Sequence, residues 1–127
     1  MSSRQMLARS MLVIALTGTA DADTLFTPAI SAAGKRVFLV CSAVNVSDQT
    51  KTIRVETNDS QTGLTMSSTE SDVAPGQAIS TAVRPSPHQR IDAYCMITVD
   101  GKKTTVRGAA YIFDTKSGTT MGSVPAQ

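Results

Sequence analysis

Tryptophan is missing from this chain, and three Phe and two Tyr in 127 residues leave little from which to build stacking platforms for bases or sugars. Histidine is almost as scarce, with His88 the single one. A triad hydrolase needs a base poised on its nucleophile. His88 instead sits in Arg84-Pro85-Ser86-Pro87-His88-Gln89-Arg90, a proline-bounded loop where Ser86 is a neighbour rather than a positioned partner. Charge of one sign is lacking too, since 12 Lys and Arg face 10 Asp and Glu, so nucleic acid is not an expected partner. Asp59, Glu70, Asp72 and Asp92 fall at turn or outward positions and form no carboxylate pair of the glycosidase kind. Neither a phosphate-binding loop nor a dinucleotide fingerprint occurs. The expectation is a chain without cofactor and without catalysis.

Long apolar runs are also wanting. Met11 to Leu16 is uninterrupted but much too short for a membrane span, which takes about 20 residues. Arg4 and Arg9 precede it and Ala20-Asp21-Ala22 follows it, which is the order of an export signal. Residues 1-22 are therefore expected to be cleaved, leaving a mature chain that begins at Asp23 in the periplasm or outside the cell. The alternative is an amphipathic N-terminal helix packed on the domain. No integral membrane span is expected.

Against these absences stands Arg36 to Val46, an apolar, largely β-branched stretch with Cys41 near its middle. Val37, Leu39, Cys41 and Ala43 share one face, while Phe38, Val40, Ser42, Val44 and Val46 share the other, so it reads as a central buried strand. Ile91 to Val99 is its natural mate, because Ile91, Ala93, Cys95, Ile97 and Val99 alternate with polar or mixed residues. Cys41 and Cys95 are the only cysteines. Both lie mid-strand, and an oxidising compartment favours joining them. A disulfide between two core strands is the simplest expectation.

The other segments fit around these two. Residues 23-34 read as a loop or edge strand, because Pro28 forbids a central ladder position. Thr52 to Thr57 alternates as a half-exposed strand, and Leu64 to Ser67 is a weaker candidate. Ala74-Pro75-Gly76-Gln77 predicts a type II turn with Gly76 at the positive-φ position, from which a strand over Ala78 to Val83 leaves. Asp100-Gly101 predicts a hairpin with Thr104 to Phe113 returning antiparallel. Residues 115-127 read as a flexible tail. The domain proper is thus 35-114, an all-β fold and a single antiparallel β-sandwich of about 6-8 strands.

Over Val37 to Phe113 this pattern resembles the immunoglobulin-like and fibronectin-III-like modules of bacterial envelope proteins. Cys41 with Asn45-Val46-Ser47, then Ala74-Pro75-Gly76-Gln77, Tyr94-Cys95 and Val106-Arg107-Gly108, is similar to small exported bacterial β-sandwich proteins of unknown function. The resemblance implies no catalytic residue.

Two functions of different class remain. The first is contact with another envelope or secreted protein, or a structural part in the envelope, with Arg84, His88 and Arg90 as a candidate contact loop and Arg107, Tyr111 and Tyr94 on an outward face of the predicted hairpin. The second is a small copper-binding protein using soft ligands. Its candidates are His88, Met66 and Met96, with Met121 or a reduced cysteine pair in reserve. A blue-copper centre wants two histidines, and the chain has one.

Overall fold

Alternation of apolar and polar side chains is the rule that shapes this molecule, and it decides which half of each strand meets the core. The computed structural model describes residues 22–127; the expected export segment lies outside them except for Ala22. The strands are β1 (Ala22–Phe26), β2 (Ile30–Ala33), β3 (Val37–Asn45), β4 (Lys51–Asp59), β5 (Thr65–Val73), β6 (Ala78–Val83), β7 (Arg90–Asp100), β8 (Val106–Asp114) and β9 (Thr119–Pro125). One turn of 3-10 helix, Lys103–Thr105, precedes β8.

Two antiparallel sheets result. Sheet A runs β1-β7-β4-β5, with β2 continuing the β1 edge along β7, and sheet B runs β6-β3-β8-β9. The fold is an all-β sandwich. Leu39, Cys41 and Ala43 from β3, Ile53 and Val55 from β4, Val106 and Ala110 from β8 meet the buried face of β7, namely Ile91, Ala93, Cys95, Ile97 and Val99. Cys41 and Cys95 are joined across this core with Cα atoms 5.6 Å apart. The staple therefore ties sheet B to sheet A at the middle of each, and a buried hydroxyl, Thr57 Oγ1, lies 3.2 Å from Cys41 Sγ.

Two expectations fail for physical reasons. Asp100-Gly101 does not close a hairpin: Gly101 takes a φ of 98°, and the chain crosses to the other sheet, where β8 pairs with β3 from Val37↔Asp114 to Asn45↔Val106. The place beside β7 is already filled by β1 and β2. In the immunoglobulin order the strand after the second cysteine stays beside it; here that strand lies beside the first. The segment over 115-127, expected as a loose tail, contains β9, which pairs with β8 through Ala110↔Val124 and Tyr111↔Ser123 with an irregularity at Ile112/Phe113. Its Gly, Ser and Thr content hides an edge strand, because edge positions need no apolar side chain on either face.

At one corner backbone hydrogen bonds join β1 to the residues after β9. Phe26 and Gln127 exchange hydrogen bonds of 3.0 and 2.9 Å.

Candidate interaction surfaces

The loop between β6 and β7 carries the three residues of the expected contact loop, and the structure separates them. Arg84 directly follows β6 and lays its guanidinium over the Phe38 ring, 4.6 Å from the centroid, on the outside of sheet B. Arg90 opens β7 and donates from Nε to Asp92 Oδ1 at 3.2 Å, on the outside of sheet A. His88 is the hinge between them. Gln89 N–H donates to the Ser86 carbonyl at 3.0 Å, and His88 has a φ of 64°, so Pro87 and His88 are the central residues of a tight turn of type II geometry. The loop crosses from one layer to the other and presents no single cationic patch.

The soft metal candidates are dispersed as well. Met66 lies at the irregularity in the β4–β5 pairing, Met96 lies mid-way along β7 opposite Glu56, and β4 runs between them. His88 precedes β7 by two residues, which puts roughly 25 Å of extended strand between it and Met96. The cysteine sulfurs are oxidised to the disulfide. Arg107, Tyr111 and Tyr94 divide in the same way. Arg107 and Tyr111 pair with Val44 and Val40 outside sheet B, whereas Tyr94 pairs with Asn58 outside sheet A.

What the structure does assemble is the outer face of sheet B. Phe38, Val40, Ser42 and Val44 of β3 lie directly beside Phe113, Tyr111, Ala109 and Arg107 of β8, with Ala82, Ser80 and Ala78 on the β6 side. No carboxylate stands among these positions, and Arg84 and Arg107 are its two cations. A shallow groove of about 230 Å³ runs between β3 and β8, lined by Ser42, Val44, Arg107, Gly108, Ala109 and Tyr111. Gly108 is required there: a Cβ would collide with Ile97 Cδ1 on the core side. Its missing side chain lets β8 lie flat between groove and core.

The signal for this face was present in the β3 sequence. Apolar residues on both parities suggest a strand covered on both sides. In a two-layer sandwich only one side of β3 is covered, so Phe38, Val40 and Val44 are left facing outward and only their neighbours shield them.

The outer face of sheet A is the opposite in charge. Glu56, Glu70, Asp72, Asp92 and Asp100 share it with Arg54 and Arg90. The Ser31 hydroxyl donates to Asp92 and holds its carboxyl below the ordinary 3.8; desolvation opposes this and Arg90 reinforces it. Glu56 is nearly buried and takes Arg54 Nε on Oε1 at 2.6 Å. Asn58, also buried, has an Oδ1 with no hydrogen-bond partner.

Asn45-Val46-Ser47 and Ala74-Pro75-Gly76-Gln77, both singled out by the sequence, form one structural lock. Asn45 is fully buried. Its Nδ2 donates to the Gln49 carbonyl at 2.7 Å and the Val73 carbonyl at 2.8 Å, and its Oδ1 accepts from the Ser47 N–H and hydroxyl at 3.0 and 2.7 Å. Gly76 N–H donates to the Asn45 carbonyl at 2.8 Å, and Gln77 N–H to the Ala74 carbonyl at 3.0 Å. The turn is of the predicted kind, with Gly76 at a φ of 77°, and it is clamped to the end of β3.

Among the described residues no group of three or more His, Cys, Asp or Glu is placed to hold a metal ion, and no helix is long and apolar enough to cross a membrane. No protein-family model matches the chain and no curated protein matches it. A crystal structure of Thermotoga maritima 1070 aligns with 85% of this chain and 95% of that one, at a TM-score of 0.52 and 15% identity. The chain is similar to that protein in fold.

Proposed function

We propose that this chain is a non-catalytic exported module that works by contact with another envelope or secreted protein, through the outer face of sheet B. One observation carries the proposal: Phe38, Val40, Val44, Tyr111 and Phe113 lie on a sheet face that no other element covers, and the cations there, Arg84 and Arg107, have no carboxylate among the neighbouring face positions. Val40 is buried among its neighbours and Phe38, Val44, Tyr111 and Phe113 are half-buried, and a contiguous apolar surface left partly open in this way supports an interaction site. The chemistry selects the partner. An apolar side chain would fill the groove beside Tyr111, and an adjacent carboxylate would take the Arg107 guanidinium, which binds such groups in a fork. The disulfide supports the exported location, since pairs of this kind persist in oxidising compartments. The likeness to immunoglobulin-like envelope modules enters at the level of the stapled sandwich.

The copper reading gains nothing from the placement of His88, Met66 and Met96. Its test is the same sample: oxidised domain titrated with copper(I) is expected to show no stoichiometric binding. For the contact function, the domain is immobilised and exposed to envelope extract beside a Tyr111→Ala/Arg107→Glu variant of equal melting temperature. A protein retained by the natural face and lost from the variant is the expected result. Retention of the same proteins by both would overturn the assignment to sheet B.

A further inference from the structure

The sheet edges are a surface apart from the sheet B face. The outermost strands are β1 with β2 and, on the far side, β5 in sheet A, and β6 and β9 in sheet B. All but β5 are blunted. β1 and β2 are short, at five and four residues, and Pro28 lies between them. β6 has six residues and runs into Arg84-Pro85. β9 is irregularly paired and ends at Pro125. Short strands, prolines and irregularities keep sheet edges from pairing with other chains. β5 differs: it has nine residues, its one irregularity falls at Thr57/Asn58 near its start, and from Ser67 to Val73 it contains no Pro and no Lys. Along that run only Val73 is buried.

The direction of the β5 backbone follows from β4. Thr52 N–H donates to Asp100 Oδ1 at 2.8 Å and Ser60 N–H to the Asp92 carbonyl at 3.0 Å, both toward β7. Asp59 N–H points the other way, to the Leu64 carbonyl at 2.9 Å. Successive residues of a strand bond to opposite sides, so Ile53, Val55 and Thr57 bond toward β5 and meet Ser71, Thr69 and Ser67. Ser68, Glu70 and Asp72 therefore turn their N–H and C=O groups out of the sheet, where no backbone group among the described residues takes them. Antiparallel pairing with a second copy must keep carboxylates apart. A two-fold axis at Glu70 sets that carboxylate against itself, and one at Ser71 sets Glu70 against Asp72. An axis at Ser67 or Ser68 leaves Asp72 opposite residues that precede β5. At Thr69 none of this happens: Ser68 faces Glu70 of the other copy and exchanges both backbone bonds with it, Ser67 faces Ser71, and Thr69 faces Thr69. Met66 comes opposite Asp72. Arg54, beside Glu70 on β4, adds a cation next to each Glu70.

We propose that the protein pairs with a second copy of itself through β5, as a two-fold antiparallel contact centred on Thr69 that runs sheet A continuously through both copies. The contact rests on backbone bonds and hydroxyl pairs with little apolar burial, so it half-dissociates at about 100 µM. The test is analytical ultracentrifugation of the oxidised protein from about 10 µM to about 1 mM, with amide hydrogen exchange read at both ends of that range. A monomer–dimer equilibrium is expected, in which the Ser68 and Glu70 amides exchange freely when dilute and gain protection when concentrated. Two substitutions at one exposed position have opposite effects. Ser68→Pro removes an N–H that the single copy leaves unused, which an edge strand tolerates, and is expected to weaken pairing about tenfold. Ser68→Lys sets an ammonium opposite Glu70 of the other copy and is expected to tighten it about threefold. Monomer throughout, pairing unchanged in a folded Ser68→Pro variant, weaker pairing with Ser68→Lys, or a dimer abolished by Arg107→Glu on sheet B would overturn the proposal.

Discussion

The two outer faces of the sandwich are made by the same alternation and end up with opposite chemistry. Sheet B turns Phe38, Val40, Tyr111 and Phe113 outward with only arginine for charge, while sheet A turns out five carboxylates, two arginines and a sunken polar pair. Both share one core. The difference teaches that in a two-layer fold the inward residues fix the architecture and leave each outer face free to differ in chemistry.

The strongest way to disturb the comparison is to remove what the faces have in common. Replacing Cys41 and Cys95 by Ala opens a loop of sequence separation 54 and is expected to lower stability by about 4 kcal/mol on the chain-entropy estimate. Urea unfolding of the variant against the oxidised protein measures it, and both faces should lose order together. A smaller loss would mean that the unfolded chain is already constrained.

Asn45→Ala acts at the end of the sandwich, away from both faces. It removes four side-chain hydrogen bonds of a fully buried group and leaves the Val73 carbonyl short of a donor, for an expected loss of about 3 kcal/mol. Thermal melting should fall while any binding at the sheet B face persists in the folded fraction.

Gly108→Ala presses on the core that the faces share. Its methyl would meet Ile97 Cδ1 on the core side, and overpacking a tight core costs about 2 kcal/mol, read from urea unfolding. Chemical shifts should move on β8 around Gly108 and on β7 around Ile97.

The least disruptive change belongs to sheet A alone. The folded-state value of Asp92 is depressed, so its contribution is present above the ordinary 3.8 and is lost as pH falls through the lower folded value. Because the pair with Arg90 is exposed, the effect is small. Melting curves from about pH 5 to about pH 2.5 are expected to fall more steeply for the natural chain than for Asp92→Asn.

Much of the fold could be read from the sequence because β3, β4 and β7 carry their burial in period two: Ile53 and Val55, and Ile91 through Val99 on one parity, are buried as the pattern requires. The turn at Pro75-Gly76 was legible for a local reason, since backbone geometry alone demands those residues. Pairing between distant segments was not. Asp100-Gly101 specifies a sharp change of direction, but whether β8 then returns to β7 depends on whether β1 and β2 already occupy that edge. The candidate sites suffered in the same way. Arg84, His88 and Arg90 are near in sequence and point to different layers, while Val44 and Tyr111 are far apart in sequence and share a groove. Glu56 and Asn58 read in sequence as ordinary outward positions, yet both are buried.

The position of the disulfide has a mechanical meaning. Were the domain pulled from its two ends, as an anchored envelope module would be, tension would pass from the β1 side to Cys41, across the sulfur atoms to Cys95, and out along β8 and β9. The residues between the two cysteines, which include β4, β5 and β6, would stay outside the load path. An oxidised molecule could therefore lengthen only by its outer segments, and reduction would release the hidden loop as slack.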